Sequence, residues 1–365
     1  MTPSSNLAPQ TNAIPTHAGP SDPSEQAPAL PSTLLRVVAI GGGTGLSTLL
    51  RGLRSHVAFP DWPAPESCQI SDLAAVVTVT DDGGSSGRLR QDFNMLPPGD
   101  IRNCMVALSA EEDLLSKLFT HRFTTRGGLG GHSFGNLFIT ALTEITGDFA
   151  HAVQLASKIL ATRGRIYPAT ISNAKVVARM EDGSIVRGET NITASKHRIA
   201  ELTLDPSDAE AMPETLEAIE RADLISVGPG SLYTSLITNL LVQGIPTALA
   251  QAKGVRVYIC NLMTQANESL GLTASEHIER IYEHTRAPIF DYAIINTAQF
   301  SPDTLARYAA ENASPIAADI ERIEKLGVRC IAGNFASEDT VVRHAANRVT
   351  GALLALGYSK SPNSL

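Results

Sequence analysis

Only four cysteines occur in 365 residues, Cys68, Cys104, Cys260 and Cys330, and no two stand at the close spacing of a zinc or redox pair. They read as reduced, mostly buried thiols of a cytoplasmic protein. No His-x-x-x-His pair supports a zinc site either. No apolar run is long enough to span a bilayer, so no membrane span is expected. Residues Met1 to Ser32 hold no Lys or Arg and no continuous apolar stretch, which argues against a secretory signal or an Arg-rich transit peptide. Basic residues are in the minority: 29 Lys and Arg against 37 Asp and Glu give a formal net charge of -8. That leaves no general basic surface for nucleic acid. No glycine loop is followed by Gly-Lys-Ser, so no Walker loop is present.

What is present is glycine in clusters, most of them at the end of an apolar run. Val37-Val38-Ala39-Ile40 leads into Gly41-Gly42-Gly43-Thr44-Gly45, and Leu46, Leu49, Leu50 and Leu53 follow at helical spacing. The pattern reads as a buried strand, a tight loop and a helix. Glycines let the backbone turn sharply and let a ligand approach it closely. The free N–H groups and partial positive charge of the helix start attract phosphate. Leu46 stands where a dinucleotide fingerprint would place its last glycine, so the loop carries no standard label. By itself such a loop is equally explained as close packing of helix on strand.

A second apolar run, Ala74 to Val79, ends in Thr80-Asp81-Asp82-Gly83-Gly84-Ser85-Ser86-Gly87-Arg88-Leu89-Arg90. Ligands of doubly wound folds sit beyond the carboxyl ends of strands, and an acidic residue after the second strand often binds ribose hydroxyls. Asp81 and Asp82 fit that role, and Ala58 to Pro65 reads as a loop insertion between the two motifs. Next comes Pro98-Gly99-Asp100-Ile101-Arg102-Asn103, in which Asp100 reads first as a helix N-cap. Arg102 and Asn103 lie one turn further on. A third glycine-dense loop, Gly127 to Asn136, carries His132, Ser133 and Asn136. A fourth, Gly228-Pro229-Gly230-Ser231, follows the strand Asp223 to Val227. Several such loops in one chain point to a ligand rather than to turns alone. Asp81, Asp82 and Asp100 are candidate magnesium ligands beside phosphates.

Strands alternate with helices along the chain, which argues a mainly parallel sheet flanked by helices, a Rossmann-like α/β fold. Residues 1–33, rich in Pro, Ser, Ala and Thr, read as a disordered tail. Residues 34–365 read as one nucleotide-binding domain. Arg165 to about Leu204, with a Glu181-Asp182-Gly183 turn, reads as a small antiparallel β insert. Val341 to Leu356 reads as the closing helix.

Taken together, Gly41 to Gly45, Asp81 to Arg88, Pro98 to Asn103, Gly131 to Asn136, Gly228 to Tyr233 and Asn261-Leu262-Met263-Thr264-Gln265 resemble the YvcK-type gluconeogenesis factors. These are relatives of the CofD-like phospholactate transferases of deazaflavin cofactor synthesis. The resemblance runs from about Arg36 to the end. It implies a Rossmann-like core, a cytoplasmic protein needed for cell shape on gluconeogenic carbon, and binding of UDP-sugars or dinucleotides. It also implies ligand-binding roles for Asn261 and Thr264 beside Gly41, Gly42, Gly43, Thr44, Gly45, Asp81, Asp82, Gly83, Gly84, Ser85, Ser86, Arg88, Arg102, Asn103, His132, Ser133, Asn136, Gly228, Gly230 and Ser231. Leu272 stands where relatives often carry Tyr, which removes an aromatic stacking partner. The first functional reading is a regulatory protein that binds a nucleotide sugar. The second is a transferase using magnesium and a nucleotide donor. An oxidoreductase using an NAD-like dinucleotide is the third. A homo-oligomer, a dimer, is the expected assembly, with cell-envelope regulatory proteins as candidate partners.

Overall fold

The computed structural model describes residues 34–58, 68–110, 114–265 and 268–359. The N-terminal tail and, beyond Ala58, the loop insertion named above lie outside the described residues.

The first apolar run forms β1 (Leu35–Gly41), and the glycine cluster opens α1 (Gly43–Arg54) directly behind it. There follow β2 (Ile70–Val77), α2 (Gly84–Phe93), α3 (Gly99–Leu108), α4 (Leu114–Thr120), α5 (Phe134–Thr146), α6 (Phe149–Ile159) and β3 (Arg165–Pro168). Then come β4 (Lys175–Met180), β5 (Ile185–Arg187), α7 (Glu189–Ala194) and β6 (Ile199–Asp205). The later strands are β7 (Leu224–Val227), β8 (Val255–Ile259), β9 (Tyr292–Asn296), β10 (Arg329–Gly333), β11 (Ala336–Glu338) and β12 (Val342–His344).

The central sheet has seven strands in the order β10-β9-β8-β7-β1-β2-β3, and each neighbouring pair is parallel. Period-two alternation divides each strand between two cores. Val38 and Ile40 join one apolar cluster, and Val37 and Ala39 join the other on the opposite face. From β1 the chain first builds outward through β2 and β3, then returns to build β7 to β10 on the other side. The reversal falls between β1 and β7, where a doubly wound sheet opens a crevice at its carboxyl edge.

Two boundaries differ from the sequence reading, and one further segment has an uncommon helix type. Arg165–Pro168 pairs with β2 as the edge of the main sheet, so the antiparallel sheet β5-β4-β6 begins at Lys175. The segment from Leu232 starts as a π-helix, Leu232–Ile237, with one α-turn after it. The closing helix begins at Ala346, because Val342–His344 pairs with β11.

Arg90, buried on α2, ties the insert to the sheet. Its guanidinium donates to Asn173 Oδ1 (2.8 Å), the Thr80 carbonyl (3.1 Å) and the Ala174 carbonyl (2.6 Å). Replacing it leaves the buried Thr80 and Ala174 carbonyls without that donor. Arg90→Met is expected to destabilise the protein by roughly 1–3 kcal/mol for each acceptor orphaned, read from urea denaturation. A loss under about 0.5 kcal/mol would mean that water replaces the guanidinium.

Candidate functional site

A cavity of about 570 Å³ opens at the strand-order reversal. The loop after β1 forms its floor, with Gly42, Gly43, Thr44 and Gly45; Pro229, Gly230 and Ser231 come from the loop after β7. The segment after β8 adds Asn261, Thr264 and Gln265, and Asp81, Asp100, Asn103 and Glu189 make a polar wall. Val341, Arg343 and His344 lie on another side.

The glycines of the floor do different jobs. A Cβ on Gly45 would stand 2.5 Å from the Pro229 carbonyl oxygen, so this glycine lets the two loops touch. A Cβ on Gly42 would meet Thr78 and Asp100 at 2.5 and 2.9 Å. Gly43 has φ +61°, a left-handed conformation that side chains resist, yet a Cβ there would meet nothing nearer than Ser235 Oγ at 4.0 Å. Its constraint is backbone conformation beside open cavity.

Asp100 is not the N-cap of α3. The prolines start that helix earlier, with Pro98 at the cap, and Asp100 falls in the first turn. Its Oδ2 instead accepts the Gly43 N–H at 2.7 Å. The next N–H groups of α1's first turn, at Thr44 and Gly45, have no acceptor within the helix. Burial raises the Asp100 carboxyl to about 6, against the opposing pull of the Gly43 N–H.

Glu189, the first residue of α7, has no counterpart in the sequence reading. The antiparallel insert delivers it to the cavity. Burial, with Asp81 and Asp100 beside it, pushes its carboxyl up to about 9. Asp81 accepts the Gly83 N–H (2.8 Å) and faces the cavity. Asp82 turns to the insert and accepts the Thr190 N–H (2.8 Å) and hydroxyl (2.7 Å).

Other residues named from sequence form a network outside the lining. Arg102 donates to Ser133 Oγ (2.5 Å), Asn136 Oδ1 (3.1 Å) and Asn103 Oδ1 (2.6 Å). Asn136 donates to Ser85 Oγ (3.1 Å), which pairs with His132 Nδ1 (2.9 Å). Burial holds His132 below its ordinary value. Through Asn103 this network reaches the cavity wall. Ser86 is buried, Gly41 ends β1, and Gly84 opens α2. Arg88, near the surface, donates to the Gly130 carbonyl (2.7 Å). Gly228 has φ +94°, and a Cβ there would lie 2.8 Å from the Ile259 carbonyl.

The start of the π-helix is occupied from within. Ser231 makes no capping bond; the buried Glu268 accepts from Thr234 Oγ1 (2.8 Å) and the Tyr233 N–H (3.2 Å), while Gln265 donates to Ser231 Oγ (2.9 Å). Leu272 packs against the apolar core. Among the described residues no group of three or more His, Cys, Asp or Glu is arranged to hold a metal ion. No described helix is long and apolar enough to cross a membrane.

A parallel, doubly wound α/β sheet with a glycine-loop cavity at its strand reversal defines a Rossmann-like α/β protein. Within that class, the chain belongs to the CofD family, described as 2-phospho-L-lactate transferase CofD, which it matches over residues 37–336. It is 46% identical over 319 residues to the gluconeogenesis factor of Halalkalibacterium halodurans, covering 87% of this chain and 95% of that one. With the gluconeogenesis factor of Bacillus subtilis it shares 42% over 322 residues, covering 88% and 98%. A crystal structure of a Bacillus halodurans protein superposes with a TM-score of 0.83 at 45% identity, covering 88% of this chain and all of that one.

The raised Asp100 carboxyl sets a pH dependence. Folding favours its protonated form, so its contribution to stability is full below its usual 3.8 and is lost as pH rises through about 6. Asp100→Asn keeps an acceptor for Gly43 and removes the charge. Its melting temperature relative to wild type is expected to be higher at pH 8 than at pH 5. An equal difference at both pH values would show that Asp100 titrates normally.

Proposed function

We propose that this protein binds a nucleotide sugar in the glycine-loop cavity, as a regulatory ligand of a gluconeogenesis factor that acts in cell morphogenesis. The observation that carries the reading is the helix start of α1 at the cavity floor. It offers the unpaired N–H groups of Thr44 and Gly45, next to a glycine whose only constraint is its backbone angle. These groups take the diphosphate. An apolar cavity of about 380 Å³ shares Asn261 and Leu262 with this one and is lined by Ile295, Phe300, Leu305 and Ile316; it suits a base.

Acidic residues at the wall disfavour a bare polyphosphate. Magnesium bound with the ligand answers this: Asp81 and Asp100 would each supply a carboxylate oxygen and the diphosphate the rest, the arrangement magnesium favours. Such an ion neutralises phosphate charge. Asp82 is committed to Thr190 and is not part of that set. A transferase activity is the second reading, favoured by the family match; turnover with a phospholactyl nucleotide and a deazaflavin acceptor decides it.

Calorimetry with UDP-glucose, GDP and NAD, paired with melting temperatures, tests the site. Gly43→Ala is expected to weaken UDP-glucose binding roughly tenfold or more while the protein stays folded, because the substitution strains the loop at the phosphate. Gly45→Ala is expected to lower the melting temperature first. A Gly43→Ala protein that binds as wild type would sink the phosphate assignment.

A further inference from the structure

Glu189 is placed with unusual care for a residue on a small insert. Gly188 before it has φ +86°, and a Cβ there would collide with the Asp82 carboxylate. Thr190 after it gives both its N–H and its hydroxyl to Asp82. The Asp82 loop therefore grips the chain on both sides of Glu189 and turns the residue into the cavity it lines. Once there, Glu189 makes no hydrogen bond to the described residues. Three donors of the acidic wall are already engaged: Gly83 N–H by Asp81, Gly43 N–H by Asp100, and Thr190 by Asp82. Half-buried on the cavity wall, its carboxyl is open to a partner that enters the cavity.

We propose that Glu189 binds the hydroxyls of the ligand's sugar, so that the antiparallel insert selects the sugar while the glycine loop holds the diphosphate. This rests on the nucleotide-sugar reading above. A carboxylate repels phosphate and offers it no donor, so Glu189 does not hold the diphosphate directly. Sugar hydroxyls donate to a carboxyl oxygen without adding charge, and neighbouring hydroxyls can share one carboxyl. In this arrangement Asp82 is a positioning residue: it reaches the ligand only through the backbone of residues 188–190.

Binding of UDP-glucose and UDP-N-acetylglucosamine, with UDP as the truncated ligand, tests this by calorimetry on the full chain. Wild type is expected to bind at least one UDP-sugar roughly tenfold or more tighter than UDP, about the worth of one buried hydrogen bond. Glu189→Ala is expected to erase that advantage while leaving UDP affinity within about twofold. Thr190→Val, which spares the cavity lining, is expected to reduce the same advantage, and melting temperatures verify that both variants fold. Equal losses for UDP and UDP-sugar, or no loss in Glu189→Ala, overturn the proposal and leave the nucleotide site standing. Failure of wild type to bind UDP or either sugar nucleotide removes the site reading and the proposal together. The titrations are repeated with EDTA. A Glu189 effect present only with magnesium makes the residue a cation ligand and also overturns the proposal.

Discussion

The contact between two loops at the strand reversal governs the rest of the structure. The first turn of α1 lies against the Pro229 carbonyl so closely that a methyl group on Gly45 has no room. The neighbouring β1 and β7 are held in register from Val37 and Leu224 to Ile40 and Val227, and the Gly228 N–H continues the ladder to the Ile40 carbonyl. Because the sheet fixes where both strands end, it also fixes where both loops meet. The cavity is thus a product of sheet topology, and its floor is backbone rather than side chain.

Acidity distinguishes this cavity from a plain phosphate cradle. Asp100 satisfies one N–H of the glycine loop from within, and Glu268 does the same at the π-helix after β7. Internal carboxylates therefore occupy part of the helix-start field that would otherwise attract an anion. Burial raises the carboxyls of Asp100, Glu189 and Glu268 alike. Their charge is costly in place, so the site gains whenever a ligand brings a cation, a proton or hydroxyl donors to them.

The fold was legible in the sequence because its central strands are continuous apolar runs buried on both faces, and β1 and β7 run straight into glycine. Val37 to Ile40 and Asp223 to Val227 needed no long-range information. The cavity lining was legible mainly where its residues belong to strand ends, as with Gly42 to Gly45, Asp81, Gly230 and Ser231, with Asn103 of α3 the exception. Asp100 looked like a local cap because Pro-Gly-Asp is a good helix start; its partner, the Gly43 N–H, is 57 residues away. Arg165 to Pro168 looked like part of the insert because the break that starts the insert, at residues 169–174, carries no strong turn signal. Glu189 was not legible at all. Its place depends on Asp82 gripping Thr190, a contact across 108 residues, and the local hint was only a glycine before an acid at the end of a hairpin. Arg88, Arg102 and His132 look like ligand residues by type, yet in the structure they bond to protein groups around the wall, a distinction that depends on side-chain packing.

Hydrogen–deuterium exchange on the full chain, with and without UDP-glucose and magnesium, tests most directly whether the meeting of these two loops is the ligand site. Binding is expected to slow exchange in residues 41–50, 228–237 and 187–194, with the rest of the sheet unchanged. Saturable binding that leaves exchange at 41–50 and 228–237 as it was would contradict the placement of the ligand at the strand reversal.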